Sequence, residues 1–124
     1  MDKVRVLIAE GATFTRIMLA MALEKTNFEV AGEAKDGVEA VDKCKELKPD
    51  VMLVDVALNE KDGIAVTREV VKENPSVIVI MLITEGVDPS RLVVEAVRAG
   101  AAGYIKKPLT VKGVETSIRD VLKK

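Results

Sequence analysis

The chain has 124 residues, 48% of them hydrophobic, with 19 basic and 20 acidic side chains and a formal charge of −1. That length suits one domain burying roughly two thirds of the surface its unfolded chain exposes, and the even charge balance lacks the basic footprint of a direct nucleic-acid binder. Histidine is absent and Cys44 is the only cysteine, which excludes an internal disulfide, the usual zinc ligand sets and every Ser-His or Cys-His catalytic pair.

The N-terminus MDKVRVLIAE mixes six apolar residues with charges and reads as neither signal peptide nor membrane span. No other run approaches 18 apolar residues, so a soluble cytoplasmic protein with no membrane partner is expected. The first strand is VRVLIA, residues 4–9, followed by an amphipathic helix in which Phe14, Ile17, Met18 and Met21 recur at the spacing of one helix face. FEVAGE (28–33) is the second strand, and Asp36 with Glu39 forms a capping box for the second helix, where Cys44 packs with Ala40, Val41 and Leu47. VMLV (51–54) is the third strand, and Asn74-Pro75 ends the helix after it. VIVIML (77–82) is the fourth; Asp88-Pro89 opens the next helix and Gly100 closes it. AGYI (102–105) is the fifth, followed by a helix carrying Val111, Val114, Ile118, Val121 and Leu122. Short apolar strands linked by amphipathic helices imply an α/β fold, (βα)5, whose parallel sheet is covered on both faces with right-handed crossovers. No linker or repeat interrupts it, so residues 1–124 are expected to form a single domain.

In an open parallel sheet the ligand crevice lies outside the carboxyl ends of the strands. The residues there are Glu10 and Gly11, Ala34 to Asp36, Asp55 to Ala57, Ile83 and Thr84, and Lys106 and Lys107. Asp55 ends the apolar run Val51 to Val54, where strand stability alone would not choose a charge; its other role is to cap the next turn. Lys107-Pro108 is compatible with a plain surface turn, or with a cis peptide that aims the ammonium inward.

The stretches VRVLIAEGATFTRIML, KPDVMLVDVALNEKDGI, VIVIMLIT and EAVRAGAAGYIKKP, in (βα)5 order, resemble the receiver domain of two-component response regulators, especially the stand-alone chemotaxis type, over about residues 3–122. The resemblance implies a doubly wound, flavodoxin-like sheet of order 2-1-3-4-5. Asp55 would accept a phosphoryl group from a sensor histidine kinase or phosphotransfer protein, Lys107 would pair with that group, and Tyr104 would be the aromatic switch. It implies Mg²⁺ as cofactor, held by Asp55, the backbone carbonyl of Ala57 and an acid after the first strand, here Glu10. A carboxylate nucleophile needs such cations to neutralise the phosphoryl oxygens, and Mg²⁺ suits an oxygen set completed by water. It further implies a non-enzymatic switch, monomeric or weakly dimeric, that meets a downstream protein through its fourth helix, fifth strand and fifth helix. The apolar Leu92, Val93, Val94 and Val97 of the fourth helix suit that face or ordinary core packing.

Three positions depart from the family pattern. Receivers carry two successive acids after the first strand, the second binding metal directly; here the pair reads Glu10-Gly11, so weaker Mg²⁺ binding is expected. Counting from Pro75, Ile83 falls where a switch serine or threonine belongs. Thr84, one residue later, would reach the site only if the strand ends or bulges early, which a longer loop TEGVDPS (84–90) would permit. Asn59 stands where proline is common. The chain is therefore compatible with a working phospho-receiver, a degenerate receiver acting as a phosphorylation-independent interaction module, or a flavodoxin-like cofactor domain. Against the last stand the carboxylate of Glu10, which would repel a phosphate, and the scarcity of aromatics: only Phe14, Phe28 and Tyr104.

Overall fold

A computed structural model describes residues 3–84 and 88–123. Residues 85–87 of the expected long loop 84–90 lie outside the described residues. In chain order the elements are β1 (Arg5–Ala9), α1 (Thr13–Glu24), β2 (Glu29–Ala34), α2 (Gly37–Leu47), β3 (Val51–Asp55), α3 (Gly63–Glu73), β4 (Ile78–Ile83), α4 (Pro89–Ala99), β5 (Gly103–Lys106) and α5 (Val111–Leu122). The five strands are parallel and ordered β2-β1-β3-β4-β5. Strand order reverses between β1 and β3, which places the crevice at their carboxyl ends. Among the described residues no helix is long and apolar enough to cross a membrane.

The caps sit where polar side chains satisfy the free N–H groups of helix starts. Asp36 accepts from Glu39 N at 2.8 Å, and Asp62, Asp88 and Thr110 do the same for α3, α4 and α5. Gly100, at φ 112°, ends α4 in the left-handed region. α1 alone lacks a side-chain cap, because Ala12 occupies that position.

Alternation along the strands builds two apolar layers. Leu7, Met52, Val54, Val79 and Met81 pack with residues of α2 and α3 on one face. Val6, Ile8, Leu53, Ile80 and Leu82 pack with Leu19 and Leu23 of α1 and Val114 and Ile118 of α5 on the other.

The apolar stripe of α1 does not join that core. Phe14, Ile17, Met18 and Met21 are all exposed, Phe14 at 76%, whereas Leu19, Ala22 and Leu23 face inward. The sequence TFTRIMLAMALE is apolar around more than one stripe, so its periodicity marks a helix without saying which side meets the sheet. On α5, likewise, Val114 and Ile118 are buried while Val111 and Leu122 stay exposed. α4 buries only Ala96 and Ala99, leaving Val94 and Val97 exposed.

The turn after β3 rests on the start of α2. Gly37 N donates to the Asn59 carbonyl at 3.0 Å, which also accepts from Lys61 N at 2.7 Å. Asn59 thus serves through its backbone oxygen, which a proline would also supply. A Cβ on Gly37 would lie 1.8 Å from the Lys61 carbonyl oxygen, so the turn must retreat to admit any side chain. Gly37→Ala is expected to cost about 1–3 kcal/mol in urea unfolding, as overpacking against backbone does. A loss below about 0.5 kcal/mol, the scale of a neutral surface change, would show that the turn yields freely.

Candidate functional site

Glu10 follows β1, Asp55 is the last residue of β3, and Lys107 follows β5. Ile8, Leu53 and Leu82 belong to the layer facing α1 and α5, and Ile105 packs against it. Two residues further along each chain, alternation returns Glu10, Asp55, Thr84 and Lys107 to that same side. Register aligns them, with Asp55 opposite Leu82, and Leu82 opposite Ile105. Neighbouring strands are about 4.8 Å apart, so β5 lies roughly 10 Å from β3, a span that a long side chain covers. Lys107 crosses above β4 and places its Nζ 2.9 Å from Asp55 Oδ2 and 2.9 Å from Glu10 Oε2. The Lys107–Pro108 peptide is cis.

Both carboxylates are buried, Glu10 at 1% exposure and Asp55 at 5%, and all four of their oxygens accept a hydrogen bond. Ala12 N donates to Glu10 Oε1 at 3.2 Å, and Ala57 N to Asp55 Oδ1 at 2.8 Å. Arg16 Nη1 donates to the Glu10 carbonyl at 2.9 Å while its Nε lies 3.4 Å from Glu33, so α1 and β2 fix the backbone that carries Glu10.

Burial, with Asp55 alongside, pushes the Glu10 carboxyl above its ordinary value even though Lys107 opposes the shift. Burial pulls Asp55 the same way, but hydrogen bonds from Glu10, Ala57 N and Lys107 outweigh it and hold Asp55 below its ordinary value. Lys107 would be lowered by burial; the two carboxylates reverse that and raise it. Of the two acids, Glu10 is thus the more readily protonated and Asp55 the more readily ionised.

Two carboxylates and a nearby main-chain carbonyl are hard oxygen donors that suit Mg²⁺ with water completing the octahedron. The set is lean. Gly11 has no side chain to offer, Lys107 already engages both acids, and no cluster of three or more acidic, histidine or cysteine ligands occurs among the described residues.

Ile83 does not take the switch position. It is fully buried, alternation turns it away from Asp55, and its carbonyl accepts from Lys107 N at 2.9 Å. β4 neither ends early nor bulges, since it keeps regular register with both neighbours and runs to Ile83. Thr84, the next residue, is exposed, and continued alternation puts it on the Asp55 side. Tyr104 is 45% exposed on β5, opposite Met81.

Sequence inspection missed the two backbone donors, Ala12 and Ala57, and the hold of Arg16 on Glu10. It also missed a groove of about 330 Å³ beside the site, lined by Phe14, Met18, Lys107, Pro108, Leu109 and Val111. The stripe on α1 was its one available signal.

The profile of the response regulator receiver domain family matches residues 6–119. Among curated proteins, the chemotaxis protein CheY of Thermotoga maritima is 40% identical over 119 residues, covering 96% of this chain and 98% of its own. CheY of Bacillus subtilis is 36% identical over 118 residues, covering 95% and 97%. Among solved structures, the receiver domain of NarL from Mycobacterium tuberculosis superposes with a TM-score of 0.92 at 29% identity, covering 99% and 98%. The response regulator domain of Thermotoga maritima CheB gives 0.86 at 32%, covering 98% and 96%.

The raised Glu10 has a pH signature. A group whose folded pKa exceeds its unfolded value, about 4.3 for glutamate, contributes stability below that value and loses it as pH rises through the folded pKa. Asp55 runs the other way, its contribution disappearing only as pH falls below the ordinary aspartate range. Urea melts between pH 5 and 8 in chelator-treated buffer should therefore show the wild type losing ground to Glu10→Gln as pH rises, by about 1.4 kcal/mol for each tenfold difference in proton affinity between the folded and unfolded chains. Parallel stability curves would show that Glu10 titrates as it does in the unfolded chain.

Proposed function

The chain belongs to the response regulator receiver domain family, and from that premise we propose that Asp55 is the residue on which it accepts a phosphoryl group. The observation that carries this is the 2.9 Å pair between buried Asp55, at the carboxyl end of β3, and Lys107 from β5. The chain is a receiver of two-component phosphorelay signalling, homologous to CheY and to the receiver domain of CheB. The flavodoxin-like cofactor alternative finds no support in that membership.

Held ionised below its ordinary value, Asp55 is a nucleophile at neutral pH. One of its oxygens forms the O–P bond while the P–N bond to the donor's phosphohistidine breaks, and the electron pair leaves with the imidazole nitrogen. The transferred group carries charge on its equatorial oxygens, so catalysis is positioning and neutralisation. Lys107 supplies one positive charge at hydrogen-bond range, and the Thr84 hydroxyl, on the same side of the sheet, donates to a phosphoryl oxygen. Receiver domains typically bind Mg²⁺ at this place; here Glu10, Asp55 and the Ala57 carbonyl would hold it, and it would supply further charge neutralisation.

The donor is a sensor histidine kinase or phosphotransfer protein. Its landing surface is the exposed stripe of α1 with the groove at Lys107-Pro108, which lies beside the pocket mouth and is apolar without being part of the core. The output is read at α4, β5 and α5, where Val94, Val97 and Tyr104 are exposed, Tyr104 acting as the switch toward a downstream protein. Residues 1–124 act as one cytoplasmic receiver unit, monomeric or weakly dimeric, without turnover chemistry of its own. The methylesterase/glutaminase of Thermotoga maritima fits this division of labour, since its likeness to this chain covers only 30% of its length.

Two outcomes test the proposal. Incubated with acetyl phosphate and Mg²⁺, the wild type should gain a labile mass adduct of one phosphoryl group that Asp55→Asn lacks; an adduct on the Asn variant would move the site elsewhere. Met18→Glu should slow transfer from a phosphorylated kinase about tenfold, equivalent to 1.4 kcal/mol of docking energy, while leaving labelling by acetyl phosphate unchanged. Equal slowing with both donors would mean that α1 acts through the pocket and not as a landing surface.

A further inference from the structure

We propose that Arg16 is a positioning residue for phosphoryl transfer that acts through Glu10, its guanidinium fixing the backbone from which Glu10 reaches Lys107. The inference rests on the pocket being the phosphorylation site. β1 pairs with β3 only as far as Ala9 opposite Val54, so Glu10 stands just past the paired part of that ladder. Its amide donates to the Ala34 carbonyl at 3.0 Å, and its own carbonyl, in a residue only 1% exposed, needs a donor from outside the sheet. Arg16, the fourth residue of α1, supplies it from Nη1 at 2.9 Å.

The guanidinium is itself held, with Nε 3.4 Å from Glu33 Oε1 on β2 and only 17% of the Arg16 side chain exposed. Its planar fork of donors meets both acceptors in fixed directions. Arg91 and Arg119, by contrast, pair with Glu95 and Glu115 along their own helices. Glu10 is thereby fastened to α1 twice, by its carbonyl to Arg16 and by Oε1 to the Ala12 amide at 3.2 Å. The remaining oxygen, Oε2, meets Lys107 Nζ at 2.9 Å. Misplacing a reacting group by about 1 Å can slow a reaction about a hundredfold. A side chain that bonds neither Asp55 nor Lys107 thus governs the rate through the residue it holds. Were Arg16 to serve the fold alone, its loss would cost the same with or without the Glu10 carboxylate.

Labelling by acetyl phosphate with Mg²⁺, followed by mass, tests this in a double-mutant cycle. Arg16→Met is expected to slow labelling about fivefold or more, and Arg16→Lys, which keeps a cationic donor, to stay within about twofold of the wild type. In a Glu10→Gln background Arg16→Met is expected to cost less than about twofold further, because the two residues act as one unit. The full loss repeated in that background, or no slowing in the wild-type one, would overturn the proposal. Arg16→Met is also expected to speed hydrogen exchange of the Ala12 amide about tenfold while β3 and β4 keep their protection. Uniform acceleration across the sheet would mean that Arg16 serves only the fold. Should Arg16→Met fail to fold, the wild type supplies an answer. Its Arg16 guanidinium protons are expected to exchange about tenfold slower than those of Arg91, whose side chain is 91% exposed, and equal exchange would refute the clamp. Exchange involves no phosphotransfer and the mass assay on Asp55 reads the phosphorylation site, so failure of either can be told from failure of the other.

Discussion

One ammonium group held between two buried carboxylates organises this molecule's working end. Lys107 ties β5 to β3 and β1 across the intervening β4, linking strands that the sheet itself does not pair. Removing Lys107 would leave two buried carboxylates without a cation, which is far more costly than breaking an exposed pair. The other ion pairs of the described residues, such as Arg119 with Glu115 or Lys45 with Glu73, join more exposed side chains and add little by comparison.

The sheet makes this possible by arithmetic. Alternation sends every second side chain to one face, and parallel register stacks the strand ends side by side. Glu10, Asp55, Thr84 and Lys107 share a side because each stands two residues beyond an inward-packed residue of the same layer, Ile8, Leu53, Leu82 and Ile105. The core residues of the face toward α1 and α5 thus set the aim of the site residues above them. A shift of one residue in β4 would exchange Thr84 for Ile83 and replace a hydroxyl by a methyl-lined wall.

Much of this was legible in the sequence. Strands apolar on both faces predicted the covered parallel sheet, the caps at Asp36 and Asp88 are present, and acids at strand ends pointed to Glu10 and Asp55. Other features were hidden for physical reasons. The inward side of α1 depends on what the helix packs against, and its own periodicity offers two apolar stripes. The place of Thr84 depends on where β4 starts and stops, and the strand keeps the six residues expected but is displaced by one, to Ile78–Ile83. The amides of Ala12 and Ala57 have no side-chain signature, and Glu10 meets Lys107 across 97 residues of chain.

The uncapped start of α1 carries one more implication. With Ala12 at its N-cap, this helix borrows an acceptor from the pocket, and the Ala12 amide hangs from Glu10 Oε1 while Lys107 holds Oε2. A single carboxylate therefore joins two separate elements, the start of α1 and the ammonium that follows β5. Whatever turns Glu10 reaches both at once, so the exposed stripe of α1 and the acidic pocket share one mechanical joint.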